Sequence, residues 1–357
     1  MTSKKYLVII TLLLLSIFIS ACSSAIYAST GWHGLAANSD TIYLAAGPQV
    51  YAIDMNTHSE KWRFPEKANS RIAFYANPVL TTDGQLLVPS YDHKLYALDP
   101  ATGKEQWSFS ESKNRLVASP LVIENIAYQP STDGNVYAID LKTHQQVWKQ
   151  ETGDPIWAQP ADNANCNCVF VASMDHFVYS FDASNGSQIW KTDLGGAIVG
   201  TPAVSSDGSL YVGTFGKQMI ALDASNGNIQ WRFDTQDWVW SGPALDNKVL
   251  YFGDLAGNFY ALNATDGTKM WSNKENNPIV DMPVVEQDKI YFTTESDTLY
   301  ILKTDGATVN SKAIGGMIYS SPVLTGDSIL VAPTGFDAAL VVLNLEGTQQ
   351  WTFTPAK

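Results

Sequence analysis

The sequence predicts an all-β fold, an eight-bladed β-propeller of four-stranded antiparallel blades. Three observations predict it. A fifteen-residue phrase recurs: LYALDPATGKEQWSF at 95–109, VYAIDLKTHQQVWKQ at 136–150, MIALDASNGNIQWRF at 219–233. Its tryptophan returns at Trp62, Trp107, Trp148, Trp190, Trp231, Trp271 and Trp351. The spacing is about 40 to 45 residues with one double interval, a period typical of propeller blades. At the middle of that interval LYILKTDGATVNSKA (299–313) keeps the strand and loses the tryptophan, which completes the eighth copy. No stretch shows sustained helical periodicity.

The N-terminal segment, 1–21, reads as a lipoprotein signal peptide. Lys4 and Lys5 precede an apolar run from Tyr6 to Ile19, broken only by Thr11 and Ser16, and Ile19-Ser20-Ala21-Cys22 closes it. A positive start, an apolar middle and small residues at the cleavage point define such signals. The run falls short of the roughly 20 residues a membrane span needs. The closing residues resemble a bacterial lipobox, which implies that Cys22 is acylated and becomes the first mature residue. Residues 22–31 are mostly small and polar and suit a flexible tether. With no second apolar span, the body (32–355) is expected outside the cytoplasm, on the periplasmic or cell-surface side, anchored to a membrane by lipid.

Each repeat then carries four strand signals. In the fifth they are GAIVGTPAVS (196–205), SLYVGTF (209–215), MIALD (219–223) and IQWRF (229–233), parted by turn clusters. Gly103, Gly186, Gly227 and Gly267 close D-x-x-x-G or N-x-x-x-G turns, where a left-handed conformation costs glycine nothing. Asp99, Asp140, Asp182 and Asp223 stand where their carboxylates reach the backbone of those turns. A lone four-stranded blade cannot bury both faces, but a ring of blades can.

ALDPATGKEQW (97–107), ALDASNGNIQW (221–231) and ALNATDGTKMW (261–271) resemble the tryptophan-docking repeat of the PQQ-type propeller family. The resemblance covers nearly the whole mature chain. It implies that each repeat tryptophan wedges between neighbouring blades near a turn glycine, so the seven are expected to be structural fasteners. Signal, tether, eight repeats and short loops together resemble the BamB-like envelope lipoproteins of that family. What this implies is a noncatalytic scaffold for a cell-envelope protein or polymer, with a role in outer-membrane protein assembly, acting as a monomer.

The alternative is a PQQ-dependent dehydrogenase-like oxidoreductase or a propeller that binds PQQ or another small ligand. That branch implies neighbouring cysteines across the axis, Ca²⁺ ligands and an aspartate base. This chain departs from it. Its cysteine pair, Cys166 and Cys168, is split by Asn167 and sits between the first two strands of repeat 4. The pair is read as a strained disulfide or free thiols ahead of a metal site. His33, His58, His93, His144 and His176 are scattered over the repeats, and three of them take or flank turn positions. No metal is expected, and PQQ enters only through the resemblance. A formal net charge of −13 argues against nucleic acid and anionic membrane surfaces as partners.

One position varies instructively. Aligned on the first-strand prolines, the residue three earlier is Trp32, Tyr75, Val117, Trp157, Val199, Trp240, Val280 and Tyr319. Trp32, Tyr75, Trp157, Trp240 and Tyr319 would place aromatic faces around one mouth of the axial channel. Beside them stand His33, Asn77, Gln159, Ser241 and Asp281, polar groups that differ between blades. A sugar, a peptide or an aromatic ligand suits such a funnel. The competing expectation is that these rings only fill space between blades.

Overall fold

The computed structural model describes residues 31–163 and 166–356. The signal peptide, Cys22 and nearly all of the tether lie outside the described residues. From Gly34 to Phe353 the chain forms eight four-stranded antiparallel sheets, each built from consecutive strands in chain order. These are the eight blades. Blade 5, for example, runs Ala203–Val204, Ser209–Thr214, Gln218–Asp223 and Ile229–Asp234.

Burial peaks in the two middle strands of each blade. The third strand of blade 5 is buried along its middle, while the outer strand alternates exposed and partly buried positions. Every outer pair carries an irregularity of register at the same place: Ala221 faces Trp231 and Leu222 faces Ile229, so Gln230 is skipped. A bulge of this kind twists the outer strand, here beside the tryptophan.

The first strands are shorter than the sequence suggests. In blade 5 only Ala203 and Val204 pair, not the whole of 196–205. Pro202 has no N–H to give a ladder, and the residues before it bond elsewhere. Ile198 N–H donates to Ser173 of blade 4 at 3.3 Å, and Phe215 N–H donates to the Ala197 carbonyl at 2.9 Å. The stretch before each proline is therefore a crossing segment that seals adjoining blades.

The fastener works as expected and extends further. Trp62, Trp148, Trp190, Trp231 and Trp271 each donate Nε1–H to a backbone carbonyl of the next blade, at 2.9–3.0 Å. Each ring covers a turn glycine there. A Cβ on Gly227, which sits at φ +75°, would fall 2.6 Å from the Trp190 ring. In the degenerate repeat Asn310 takes the tryptophan's place, and its Nδ2 donates to the Glu346 carbonyl at 2.6 Å. Two blades carry histidine instead of the turn glycine, His58 and His144, both at positive φ. There the tryptophan stacks flat on the imidazole: Trp107 on His144 at 4.7 Å and Trp351 on His58 at 4.4 Å.

That last contact closes the ring, because Trp351 lies on blade 8 and His58 on blade 1. Leu35, Ile42 and Leu44 share a core with Leu330, Leu340 and Phe353, and Thr325 donates to the Asn38 carbonyl at 3.2 Å. Among the described residues no strand is exchanged between the first and last blades; ordinary blade-to-blade packing joins them. Cys166 and Cys168 form a disulfide in the hairpin between the first two strands of blade 4.

Candidate functional site

The crossing segments converge on the axis and line a cavity of about 200 Å³ with residues from all eight blades. Trp32, Tyr75, Trp157, Trp240 and Tyr319 are all among them, with Val117, Val199 and Val280 at the same register. In an extended chain, neighbouring side chains point to opposite sides. The residue before each of these positions is apolar on blades 2 to 8: Phe74, Leu116, Ile156, Ile198, Val239, Ile279 and Ile318. All seven are fully buried. The five aromatic rings one step later are only partly buried. Packing between blades thus falls to the preceding residue, and the aromatics look into the mouth. The sequence reading passed over that buried row, although its apolar regularity beside the varied position is visible in the alignment.

The rings are not independent. Trp32 lies 5.7 Å from Tyr75 and 6.2 Å from Trp157, so it reaches across from blade 1 to blade 4. Tyr75 meets Tyr91 edge-on at 4.6 Å, and the Arg115 guanidinium lies 5.3 Å from the Tyr91 ring centroid. Trp240 packs on Phe215, which stacks in turn on the exposed Trp238. Tyr319 donates its hydroxyl to Met317 sulfur at 3.5 Å. Phe215, Tyr91, Trp238 and Met317 widen the aromatic mouth beyond the sequence-derived set. They sit on the loops between second and third strands or two residues before the aligned position, where no repeat-wide pattern marks them.

Asn77 and Gln159 line the same cavity, and both also stitch blades together. Asn77 Oδ1 accepts from Leu35 N–H of blade 1 at 3.0 Å. Gln159 Nε2 donates to the Pro120 carbonyl of blade 3 at 3.0 Å. Ser241 and Asp281 border the cavity, but they follow the aligned position as His33 does, and Ser241 Oγ and Asp281 Oδ1 are fully buried. Asp281 Oδ2 accepts from Thr293 N–H at 2.9 Å and from its hydroxyl at 2.6 Å. Loss of solvent lifts this carboxyl to about 7, against the two Thr293 bonds that pull it down.

His33 corrects the sequence expectation. It is not one of the cavity-lining residues. It follows Trp32 and so faces the other way, buried beside the carbonyls of Pro333 and Ala339 of blade 8. Burial pushes its pKa down to about 4, only partly offset by those carbonyls. His33 therefore belongs to the seam between the first and last blades.

The disulfide sits far from this mouth. Ala183 N–H donates to the Asn167 carbonyl at 2.8 Å, which places the cysteine hairpin beside the outer turn of blade 4. Trp157 lies at the opposite end of that blade, where Met174 N–H meets the Pro155 carbonyl. Among the described residues no group of three or more His, Cys, Asp or Glu could hold a metal ion.

A closed ring of eight blades, seven of them carrying the docking tryptophan, with an aromatic mouth on the axis, defines a PQQ-repeat propeller. A family model described as outer membrane protein assembly factor BamB matches residues 23–163 and 173–282, and the chain belongs to that family. Its fold resembles the crystal structure of BamB from Moraxella catarrhalis with a TM-score of 0.75 and 18% identity, over 86% of this chain and 94% of that one. A computationally designed protein, Ika8, shares the fold with a TM-score of 0.72 at 13% identity, over 92% of this chain and 98% of its own. No curated protein matches the sequence.

Proposed function

We propose that this propeller is a noncatalytic scaffold of the cell envelope, tethered by lipid on Cys22, that serves outer-membrane protein assembly by docking a polypeptide segment at its axial mouth. The observation that carries the reading is the division of labour in the crossing segments. On blades 2, 4, 6 and 8 one residue is fully buried between blades and the next presents an aromatic ring to the opening, and Trp32 adds a fifth ring from blade 1. Aromatic side chains offer large, rigid contact area and dominate binding hot spots. Family membership supports the envelope setting and the assembly role.

The quinone-linked alternative fits poorly. PQQ carries three carboxylates, and among the described residues no Lys, Arg or His lines the cavity to meet them. The cysteine bridge joins residues two apart in a hairpin at the other end of a blade, so it cannot lie across an axial cofactor.

Replacing Trp157 and Trp240 together by alanine tests the docking role. The protein should stay folded and lose less stability per ring than on removal of a buried seam tryptophan such as Trp190, since both rings are only partly buried and lose packing on Trp32 and Phe215 rather than a blade seam. Assembly of outer-membrane β-barrels in native cells should fall markedly. A double variant that folds and supports full assembly would remove the mouth from the function.

A further inference from the structure

Apart from Leu80, the exposed large hydrophobic side chains among the described residues fall into two sets. Val147, Ile189, Ile229, Met270 and Val309 stand singly on outer strands, one to a blade. Trp238, Met282, Met317 and Phe336 stand together at the mouth end of the ring. The first three lie on the segments that cross into blades 6, 7 and 8, and Phe336 lies on the loop between the second and third strands of blade 8. Contacts join this set into an arc. Trp238 stacks on Phe215 at 4.7 Å, and Phe215 packs on Trp240 at 5.2 Å. Met282 N–H donates to Ser321 Oγ of blade 8 at 3.0 Å. Met317 and Thr334 exchange backbone bonds of 2.9 and 2.7 Å. A Cβ on Gly315 would fall 2.9 Å from the Phe336 ring, so that ring covers the segment leading to Met317.

The arc ends beside blade 1, where the propeller begins. Gly31 packs so close to the Tyr75 ring that a Cβ would overlap it, and Trp32 lines the mouth. From Cys22 to Gly31 the chain has nine peptide links, which reach about 30 Å at most when fully extended. A path from the mouth over the outside of a blade to its far end crosses four strands at about 4.8 Å and climbs about six residues at about 3.3 Å, roughly 40 Å in all. A lipid on Cys22 therefore holds the mouth end, not the far end, toward the bilayer. Charge agrees. The turns between first and second strands, at the far end, carry Asp83, Glu124, Asp207, Asp246, Asp288 and Asp327 at or beside them, against Lys248 and Lys289. Such an end is repelled by anionic lipid.

We propose that the arc of Trp238, Met282, Met317 and Phe336 is a bilayer-contact surface, which seats the propeller mouth end down on the phospholipid of the membrane that holds its anchor. An indole favours the headgroup level, where its apolar body and its N–H are both satisfied. The phenyl and thioether side chains bury apolar area at the boundary with the acyl chains. The contact needs no basic patch: Lys217, beside Trp238, is already paired with Asp237 at 3.2 Å. The arc belongs to blades 5 to 8, so a ring tilted onto it leaves Tyr75 and Trp157, on blades 2 and 4, open to a docking polypeptide. The inference rests on the lipid at Cys22 and adds a second contact that orients the body.

The test uses the full chain purified from membranes, its N-terminal lipid read by mass spectrometry, and reconstituted into phosphatidylcholine vesicles. A nitrobenzoxadiazole label is placed on Met317→Cys in the arc, on Val147→Cys in an outer strand or on Asp207→Cys at the far end. Lipids carrying a nitroxide high on the acyl chain quench a label that touches the bilayer. The Met317→Cys label should show blue-shifted emission and lose most of it to the quenching lipid, while the other two labels show neither effect. Trp238→Ser together with Phe336→Ser, both at exposed positions and so without harm to the fold, should abolish that quenching. Quenching undiminished by this double change, or equal quenching of the Val147→Cys label, would overturn the proposal. Blue-shifted emission without quenching would place the arc against a second copy of this chain and overturn it as well. Absence of lipid from Cys22 would remove the anchor and the seating together. Lipidated protein with an unquenched Met317→Cys label would overturn the seating alone and leave the anchor standing.

Discussion

Replacing Trp190 by alanine should separate blade 4 from blade 5 at their outer seam. The indole is 8% exposed, packs against Phe170 at 5.7 Å and donates to the Ala224 carbonyl at 3.0 Å. A buried tryptophan removes about 150–250 Å² from water, which at about 25 cal/mol per Å² amounts to about 4–6 kcal/mol. Partial collapse of the gap brings the expected loss to about 3–5 kcal/mol. Asn310→Ala, at the same register of the degenerate repeat, removes one partly exposed hydrogen bond to the Glu346 carbonyl and should cost about 1 kcal/mol. Urea unfolding followed by far-ultraviolet circular dichroism measures both on the same scale. The m-value should stay constant if the ring unfolds as one unit. Equal losses for the two variants would refute the idea that the indole is the fastener. A Gly227→Ala variant adds a check from the other side: its Cβ would have to displace the same ring, on a backbone at φ +75°. It should lose more than about 1 kcal/mol.

Asp281 and His33 should give opposite pH slopes. The folded carboxyl titrates at about 7, above its ordinary 3.8, so it contributes stability that is full below about pH 4 and lost as pH rises to about 7; Asp281→Asn should flatten that loss of a few kcal/mol in melts across this range. His33 titrates at about 4, below its ordinary 6.5, so its contribution is full above about pH 6.5 and lost as pH falls to about 4; His33→Asn should flatten that opposite slope. Cys22→Ser should abolish lipid attachment and leave the chain unprocessed or released from the membrane, as fractionation and mass spectrometry of the N-terminus will read. In contrast to Trp190→Ala, the Trp157→Ala/Trp240→Ala pair should cost less stability per ring in the same urea melts, because both rings are only partly buried and hold no blade seam.

The blade count was legible because one tryptophan and one turn recur at a steady period, and each marks a blade-to-blade contact. Trp351 in the last repeat and His58 in the first were both visible, yet their stacking was not. Ring closure brings together residues far apart in the chain, and no local pattern reports that. The mouth was legible in its rings, since Trp157 and Trp240 occupy an aligned position. Its polar neighbours were harder. His33 and Asn77 stand one and two residues past the aligned aromatics, on opposite sides of an extended chain, so grouping them together mixed seam with mouth. Phe215 and Trp238 escaped notice because loop side chains meet the mouth through tertiary packing. The first strand was overestimated because β-rich composition does not reveal that a proline has cut the ladder and handed the preceding residues to the next blade.

The central claim, that the axial mouth docks a polypeptide during outer-membrane protein assembly, is tested most directly by site-specific photo-crosslinking in native cells. A benzophenone side chain is placed at Tyr319, at the mouth, or at Val147, an exposed residue of the outer strand of blade 3. Adducts are identified by mass spectrometry. The account predicts a discrete adduct from Tyr319 with a component or client of outer-membrane β-barrel assembly, and its loss when Trp157 and Trp240 are both alanine. Adducts with such proteins from Val147 and none from Tyr319 would contradict it and move the binding surface to the blade edges.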